Sequence, residues 1–401
     1  MMSKLKVPPL RFSEFNSNWN YEKFNDLYPK VRNGFVGTAT PFYVETGIPY
    51  LQGKNIKNGS IDIKGLIYIN NSFHQKNKKS QLQENDIVMV QSGHVGECAL
   101  ITESFINSNC HALLVSTPID NVDSKFYVYY FYSEIGKKII HKITTGNTIK
   151  HILSSDLKIQ FVSNPSLPEQ KKIVSFLTAV DNKIEQLSKK YTLLQDYKKG
   201  MMQKIFSQEI QFKDDDGSEF PQWEEKKIST VSTVNPFNIT LPNSFVYIDL
   251  ESVKSGSLLK ESILSKKEAP SRAQRILEKN DILYQTVRPY QKNNYLFNLE
   301  GNYVASTGYA QLRAYENSAF LYHCLHQNKF VNKVLSMCTG TSYPAINTSD
   351  LKSIKINMPS NKEQTKIATF LTSIDTKIEQ NNKQLIQTKL FKKALLQQMF
   401  V

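Results

Sequence analysis

Two short segments carry the side chains best suited to reading a nucleic acid. In Gln91-Ser92-Gly93-His94-Val95-Gly96 a histidine stands between glycines, and its ring can donate to or accept from a base edge. In Thr286-Val287-Arg288-Pro289-Tyr290-Gln291-Lys292 the Arg288 guanidinium can pair bidentately with guanine, or can hold a phosphate or an internal carboxylate. Lys150 and His151 follow one Thr-Gly turn, and Ser342 and Tyr343 follow another; these four suit backbone phosphates or the closing of a domain.

Catalytic constellations are harder to assemble. A self-sufficient adenine methyltransferase needs an Asn/Asp-Pro-Pro-Tyr/Phe loop and a glycine-rich cofactor turn. The nearest fragments, Asn235-Pro236-Phe237-Asn238 and Asn164-Pro165-Ser166, lack the second proline and the aromatic at its place, and read as turns or strand ends. Asp249-Leu250-Glu251 with Lys254 is the nearest set to a nuclease metal site, and reads instead as the commonplace acid-rich edge of a strand. Asp214-Asp215-Asp216-Gly217 opens like a calcium loop but is not completed, so it reads as a linker, matched by Glu14 to Trp19 earlier in the chain. No GxxxxGK[ST] phosphate loop occurs. The histidines show no metal spacing, and Cys98, Cys110, Cys324 and Cys338 form no CxxC pair, so no metal site is expected and the cysteines read as buried free thiols.

With 50 Lys and Arg against 36 Asp and Glu, the net charge of +14 favours a polyanionic partner, although a lysine-rich soluble protein would show the same balance. Neither a signal peptide, within the basic Met1 to Arg11, nor a membrane-spanning run is present, so the expected location is cytoplasmic, with no membrane partner.

The elements that position these residues occur twice, at a constant offset. Thr145-Gly146-Asn147-Thr148 recurs as Thr339-Gly340-Thr341-Ser342, Ser154 to Lys158 as Thr348 to Lys352, and Glu169 to Thr178 as Glu363 to Thr372. The register is ungapped to Phe206 and Phe400, with about 17 of 38 helix positions identical, too many for unrelated amphipathic helices. Ahead of the helices only echoes survive, such as Leu82 to Val88 against Leu277 to Leu283, and Tyr50 to Gly59 against Tyr247 to Gly256. Helices kept alike beside diverged globules suggest one shared job and two different things read. Strand-like runs, Ile87 to Val90 and Phe245 to Ile248, give each globule a mixed α/β character. Four segments follow: a first globule over 1–165, a helix over 166–207, a second globule over 208–359 and a second helix over 360–401.

Each helix opens on the same signal, Ser166-Leu167-Pro168-Glu169 and Ser360-Asn361-Lys362-Glu363. Here the serine should accept an N–H three residues on while the glutamate reaches back to the serine N–H. Leu177, Val180, Ile184, Leu187, Tyr191 and Leu194 make a heptad seam. Leu371, Ile374, Ile378 and Leu385 make its counterpart, interrupted by Asn381 and Thr388. Chain order requires the two helices, if they pair, to run antiparallel, and about 38 residues at 1.5 Å each give a rod of roughly 57 Å about a pseudo-two-fold axis. Two diverged readers at fixed separation suit a DNA target of two unequal half-sites.

Over essentially its whole length the chain resembles the specificity subunit of type I restriction-modification systems. The resemblance is carried by Asn85-Asp86-Ile87-Val88 and Asn280-Asp281-Ile282-Leu283, by Ser92-Gly93-His94-Val95-Gly96, by Ser306-Thr307-Gly308-Tyr309-Ala310-Gln311-Leu312-Arg313, and by the Thr-Gly segments leading into each helix. The family often has glycine where this chain has Asn85 and Asn280. The resemblance implies a non-catalytic subunit of mixed α/β fold with two target recognition domains separated by two long antiparallel coiled-coil helices. Each domain would read half of a bipartite site on double-stranded DNA; Ser92, Gly93, His94, Lys150, His151, Arg288, Tyr290, Lys292, Thr307, Tyr309, Ser342 and Tyr343 are the candidate contacts. It also implies two modification subunits methylating adenine N6 with S-adenosylmethionine, and motor-nuclease subunits using ATP and Mg2+, with no cofactor on this chain. The alternatives are a self-sufficient adenine methyltransferase, and a stand-alone DNA-binding regulator or coiled-coil adaptor, neither of which requires a methyltransferase partner.

Overall fold

The computed structural model describes residues 7–237 and 240–401; Asn238, the end of the Asn-Pro-Phe-Asn fragment, and the first six residues of the basic start lie outside the described residues. The chain forms two compact units, Met1–Ser188 with Lys383–Val401, and Lys189–Asn382. These units are drawn differently from the four sequence segments, because each long helix contributes one part to each unit.

In the first unit β1 (Lys30–Asn33), β2 (Ile87–Val90), β3 (Cys98–Leu100) and β4 (Leu113–Thr117) make an antiparallel sheet in the order β1-β4-β2-β3. Every residue of β2 is buried, which explains its unbroken apolar run. Ile87 and Met89 face a core shared with α1 (Ser124–Tyr132) and α2 (Glu134–Ile143), while Val88 and Val90 join Leu51, Ile56 and Leu113 in a second core. That two-residue alternation is the geometry of a strand. A second sheet holds Tyr43–Val44, Ile48–Leu51, Ile67–Ile69 and Asn109–Cys110. The entering strand Asn20–Lys23 pairs antiparallel with the leaving strand Phe161–Asn164, and this clamp leads directly into α3 (Leu167–Phe206).

The second unit repeats the plan. Its sheet of β5 (Ser232–Val234), β6 (Ile282–Gln285), β7 (Tyr295–Leu296) and β8 (Tyr309–Ala314) runs in the order β5-β8-β6-β7. The helices α4 (Ser318–Leu325) and α5 (Asn328–Ser336) cover it. Glu224–Lys227 pairs with Lys355–Met358 ahead of α6 (Asn361–Gln398).

The two long helices pair, as the heptad seams predict, and run antiparallel, as chain order requires. In the first unit Ile173, Leu177 and Val180 of α3 share a core with Leu395, Met399 and Phe400 from the end of the chain. In the second, Ile205 near the end of α3 joins Ile367, Leu371 and Ile374 from the start of α6. Leu187 and Leu385 are buried and Ile184, Tyr191, Leu194 and Ile378 half-buried; Asn381, the polar interruption, is itself buried.

Three local expectations are corrected. Ser360 Oγ does accept the Glu363 N–H at 3.4 Å, but neither glutamate carboxylate is directed at its serine. Glu169 accepts the Trp19 indole N–H at 3.0 Å and pairs with Arg11 at 2.7 Å, and Glu363 accepts the Trp223 indole N–H at 3.1 Å. These carboxylates therefore lock each helix start to the strand-entry tryptophan, a tertiary demand that overrides local capping. Asp214 and Asp215 hold Lys362 and Lys366 at the start of α6, which gives the acidic linker a role beyond connection. Cys98, Cys110 and Cys324 are buried, but Cys338 is only half-buried.

The Asn-Asp turns before β2 and β6 also have a physical account. Asn85 and Asn280 adopt φ of 64° and 72°, the left-handed region that glycine enters freely and asparagine tolerates. The aspartates that follow are fully buried. Asp86 accepts the Gln83 N–H at 2.9 Å and pairs with Arg32 at 2.8 Å. Asp281 accepts the Glu278 N–H at 2.7 Å and pairs with Arg313 at 2.9 Å. These motif acids are structural, each satisfied by a turn N–H and an arginine.

Candidate nucleic-acid interface

The loop after β2 and the Thr-Gly turn after α2 come together in the first unit. Ser92 and Thr145 both bridge to His151; the Gly93 N–H donates to the Lys150 carbonyl at 3.1 Å and the Ile152 N–H to the Gln91 carbonyl at 3.0 Å. Backbone bonds thus fix one loop upon the other and leave Ser92, Gly93, His94 and Lys150 exposed. The His151 ring meets Thr145 Oγ1 at 3.2 Å, which holds that ring to the turn. Gly146 is required by its surroundings, for at φ of 94° a Cβ would stand 2.2 Å from the Ile149 carbonyl oxygen.

The second unit builds the same junction with different side chains. Val287 and Thr339 both bridge to Ala345, the Arg288 N–H donates to the Pro344 carbonyl at 2.7 Å, and the Ile346 N–H to the Thr286 carbonyl at 3.1 Å. Arg288 takes φ of 54°, and its guanidinium lies 4.2 Å from the centroid of the Tyr343 ring. Tyr343 is 65% exposed, so the stack sets a planar cation on an open aromatic. Arg288 is half-buried, and its Nε is buried with no hydrogen-bond partner among the described residues. Ser342 and Tyr290 are exposed beside it.

Three candidates fall elsewhere. Tyr309 is 1% exposed in the core and its hydroxyl donates to the Asp249 carbonyl at 3.2 Å, so it leaves the list of contacts. The Lys292 ammonium donates to the His326 carbonyl at 2.9 Å and Asn328 Oδ1 at 2.7 Å, tying its loop to α5; burial lowers its pKa, followed by the nearby charge of Lys199. Thr307 is half-buried, with its N–H on the Arg272 carbonyl at 2.9 Å.

Sequence reasoning missed Ile149 and Leu153, large apolar residues exposed on either side of Lys150 and His151. Their signal was apolar character inside a turn sequence, where no core demands it. Among the described residues no group of three or more His, Cys, Asp or Glu could hold a metal ion.

Two globules of one fold, each offering a fixed loop pair of different chemistry, define a two-site recognition protein. The family model described as the type I restriction modification DNA specificity domain matches residues 16–195 and again 222–388. The chain belongs to that family, and as a member it is a non-catalytic DNA-specificity subunit with two target recognition domains. It is 24% identical over 423 residues to the type I restriction enzyme MjaVIII specificity subunit of Methanocaldococcus jannaschii, covering 98% of this chain and 93% of that one. It is 29% identical over 175 residues to the HindI specificity subunit of Haemophilus influenzae, covering 41% and 38%. In fold it is similar to the crystal structure of a type I restriction-modification S subunit from M. genitalium, with a TM-score of 0.63 at 20% identity over 98% of this chain and 99% of that one.

Proposed function

We propose that each target recognition domain of this chain reads one half of a bipartite, asymmetric site on double-stranded DNA, and that the paired helices set the spacing and dock two modification subunits. The first half-site is read by Ser92, Gly93 and His94 with Lys150 and His151, and the second by Arg288 with Tyr290, Ser342 and Tyr343. The observation that carries this is the repeated junction, with the same backbone bonds in both units and a histidine loop in one where the other has an arginine stacked on tyrosine. Identical scaffolds with unlike side chains are what two unequal half-sites require.

On this reading the chain holds no cofactor and works in the cytoplasm. S-adenosylmethionine belongs to the modification subunits, and ATP and Mg2+ to motor-nuclease subunits. No helix among the described residues is long and apolar enough to cross a membrane. The test is to sequence methylated adenines in the host genome with and without this chain. Loss of methylation at one bipartite motif is expected. An unchanged methylome, with the modification subunits present and active, would contradict the proposal.

A further inference from the structure

We propose that each unit carries an equivalent docking cleft for an acidic, apolar-backed protein segment, and that a modification subunit supplies the segment at each; this rests on the function proposed above. In the first unit a cleft of about 300 Å³ lies between the Asn58-Gly59-Ser60 turn, α1 and the end of α6. Lys137, Lys389 and Lys393 stand exposed on it without a carboxylate partner among the described residues, whereas Lys392 is taken up by Asp181. Beneath these ammonium groups lie Val128, Leu396 and the rings of Tyr129 and Tyr132. The half-buried Lys125 sits at the same floor, its pKa lowered first by burial, with repulsion from Lys392 contributing, so an incoming anion relieves a charge already out of water.

The second unit has a cleft of about 1320 Å³ in the corresponding place. Lys199 and Met202 line it 194 positions before Lys393 and Leu396, and Tyr322 lines it 194 positions after Val128. The individual cations differ, since Ala319 and Gln195 stand where the first unit has Lys125 and Lys389, while Lys254 and Lys329 line the second cleft. Glu379 also lines the second cleft, with Glu209 and Asp375 paired to Lys204 and Lys198, so net positive charge over an apolar floor recurs without a fixed set of lysines. That combination fits a protein segment with carboxylates along one side and apolar side chains along the other. A duplex backbone would use the lysines but has no apolar surface to set on the floor. A cleft present once per unit calls for two copies of one occupant.

The experiment reconstitutes the full-length chain with its modification subunit and measures stoichiometry and affinity by sedimentation. The variants are Lys393→Glu, Lys199→Glu and the double variant, with Lys393→Arg as the charge-keeping control and thermal melting to verify the fold. Should Lys393→Glu melt early, Lys389→Glu on the same cleft takes its place. Wild-type chain should take up two modification subunits, each single variant one, with the second site weakened at least tenfold, and the double variant none. Affinity of the isolated chain for duplex DNA should not change. A double variant that still takes up two subunits overturns the cleft. So does a fall in duplex affinity with a flatter salt dependence, which would make the lysines phosphate contacts. Failure of the wild-type chain to take up any modification subunit would instead bring down the function proposed above.

Discussion

Asp181 of α3 and Lys392 of α6 form an ion pair at 2.5 Å, and their counterparts 194 positions away, Asp375 and Lys198, form the same pair at 2.5 Å. Moving 17 residues along α3 from Asp181 to Lys198 matches moving 17 residues back along α6 from Lys392 to Asp375, so one antiparallel register serves both units. The third partner is also repeated by position. Tyr129 donates to Asp181 at 2.8 Å, and His323, 194 positions on, faces Asp375 at 3.9 Å. Burial drives the His323 pKa well down, so that ring is neutral.

These pairs are partly exposed, so their worth lies in register more than in stability. Asp181→Ala or Lys392→Ala should each cost roughly 1 kcal/mol, with a coupling energy below about 1 kcal/mol in a double-mutant cycle. The swapped double variant Asp181→Lys with Lys392→Asp should recover most of the loss that either reversal causes. Chemical denaturation checks this, and a swap no better than the single reversals would show that the pair does not hold the register.

The two helix-start glutamates should respond oppositely to neutralisation. Glu169 has Arg11 and Trp19, so Glu169→Gln strands a largely buried guanidinium and should cost roughly 3 kcal/mol. Among the described residues Glu363 has only Trp223 as a partner of its carboxylate, and burial raises its pKa above the usual carboxylate range. A carboxyl that binds its proton more tightly when folded contributes stability that is present below its unfolded pKa. That contribution is lost as pH rises through the folded value. Glu363→Gln should therefore remove a downward slope of stability above about pH 4.5 and cost little at neutral pH. Melting curves between pH 4 and 8 separate the two sites.

The first domain's core is completed by the end of the chain. Phe400 is 2% exposed and packs against Phe126 and Tyr130 with ring centroids at 5.3 and 6.1 Å. Phe400→Ala should destabilise by about 3 to 5 kcal/mol, read as early loss of protection in amides of the first unit during hydrogen exchange. Uniform loss across both units would contradict this assignment.

Much of this architecture was legible because duplication doubles every signal. The helix starts follow from one offset, the equivalence of the loops at His94 and Arg288 from the Asn-Asp turns that precede them, and the antiparallel pairing from chain order. The register pairs Asp181–Lys392 and Lys198–Asp375 were within reach by applying that offset to charges as well as to apolar residues. Tyr309 and Lys292 were not legible, because exposure is decided by neighbours distant in sequence. Tyr309 is captured by the Asp249 carbonyl, and Lys292 by the His326 carbonyl just after α4 and the Asn328 side-chain amide at the start of α5. The Glu169 and Glu363 capping expectation failed for the same reason, since tryptophans far upstream claim both carboxylates.

If the helices set the half-site spacing, removing one heptad from each should shorten it. Deleting Ile184 to Lys190 together with Ile378 to Gln384 shortens each helix by about 10 Å, or roughly three base pairs, while keeping the same faces paired. Methylome mapping of the folded, active deletion should find both half-site sequences retained at a reduced spacing. An unchanged spacing would show that the helices do not set it.

The claim that one domain reads one half-site is tested most directly by selecting bound DNA from libraries randomised in either half-site, using the assembled complex with Arg288→Ala, Arg288→Lys and His94→Ala. Arg288→Ala should cost about 1 to 3 kcal/mol at its favoured sequence and relax preference in one half-site only. Arg288→Lys should not restore it, because an ammonium reproduces neither the stack on Tyr343 nor a bidentate pair. His94→Ala should relax the opposite half-site and leave the first intact. Loss of preference in both half-sites from either single substitution would contradict the account, and uniform weakening across all sequences would reassign Arg288 to a phosphate.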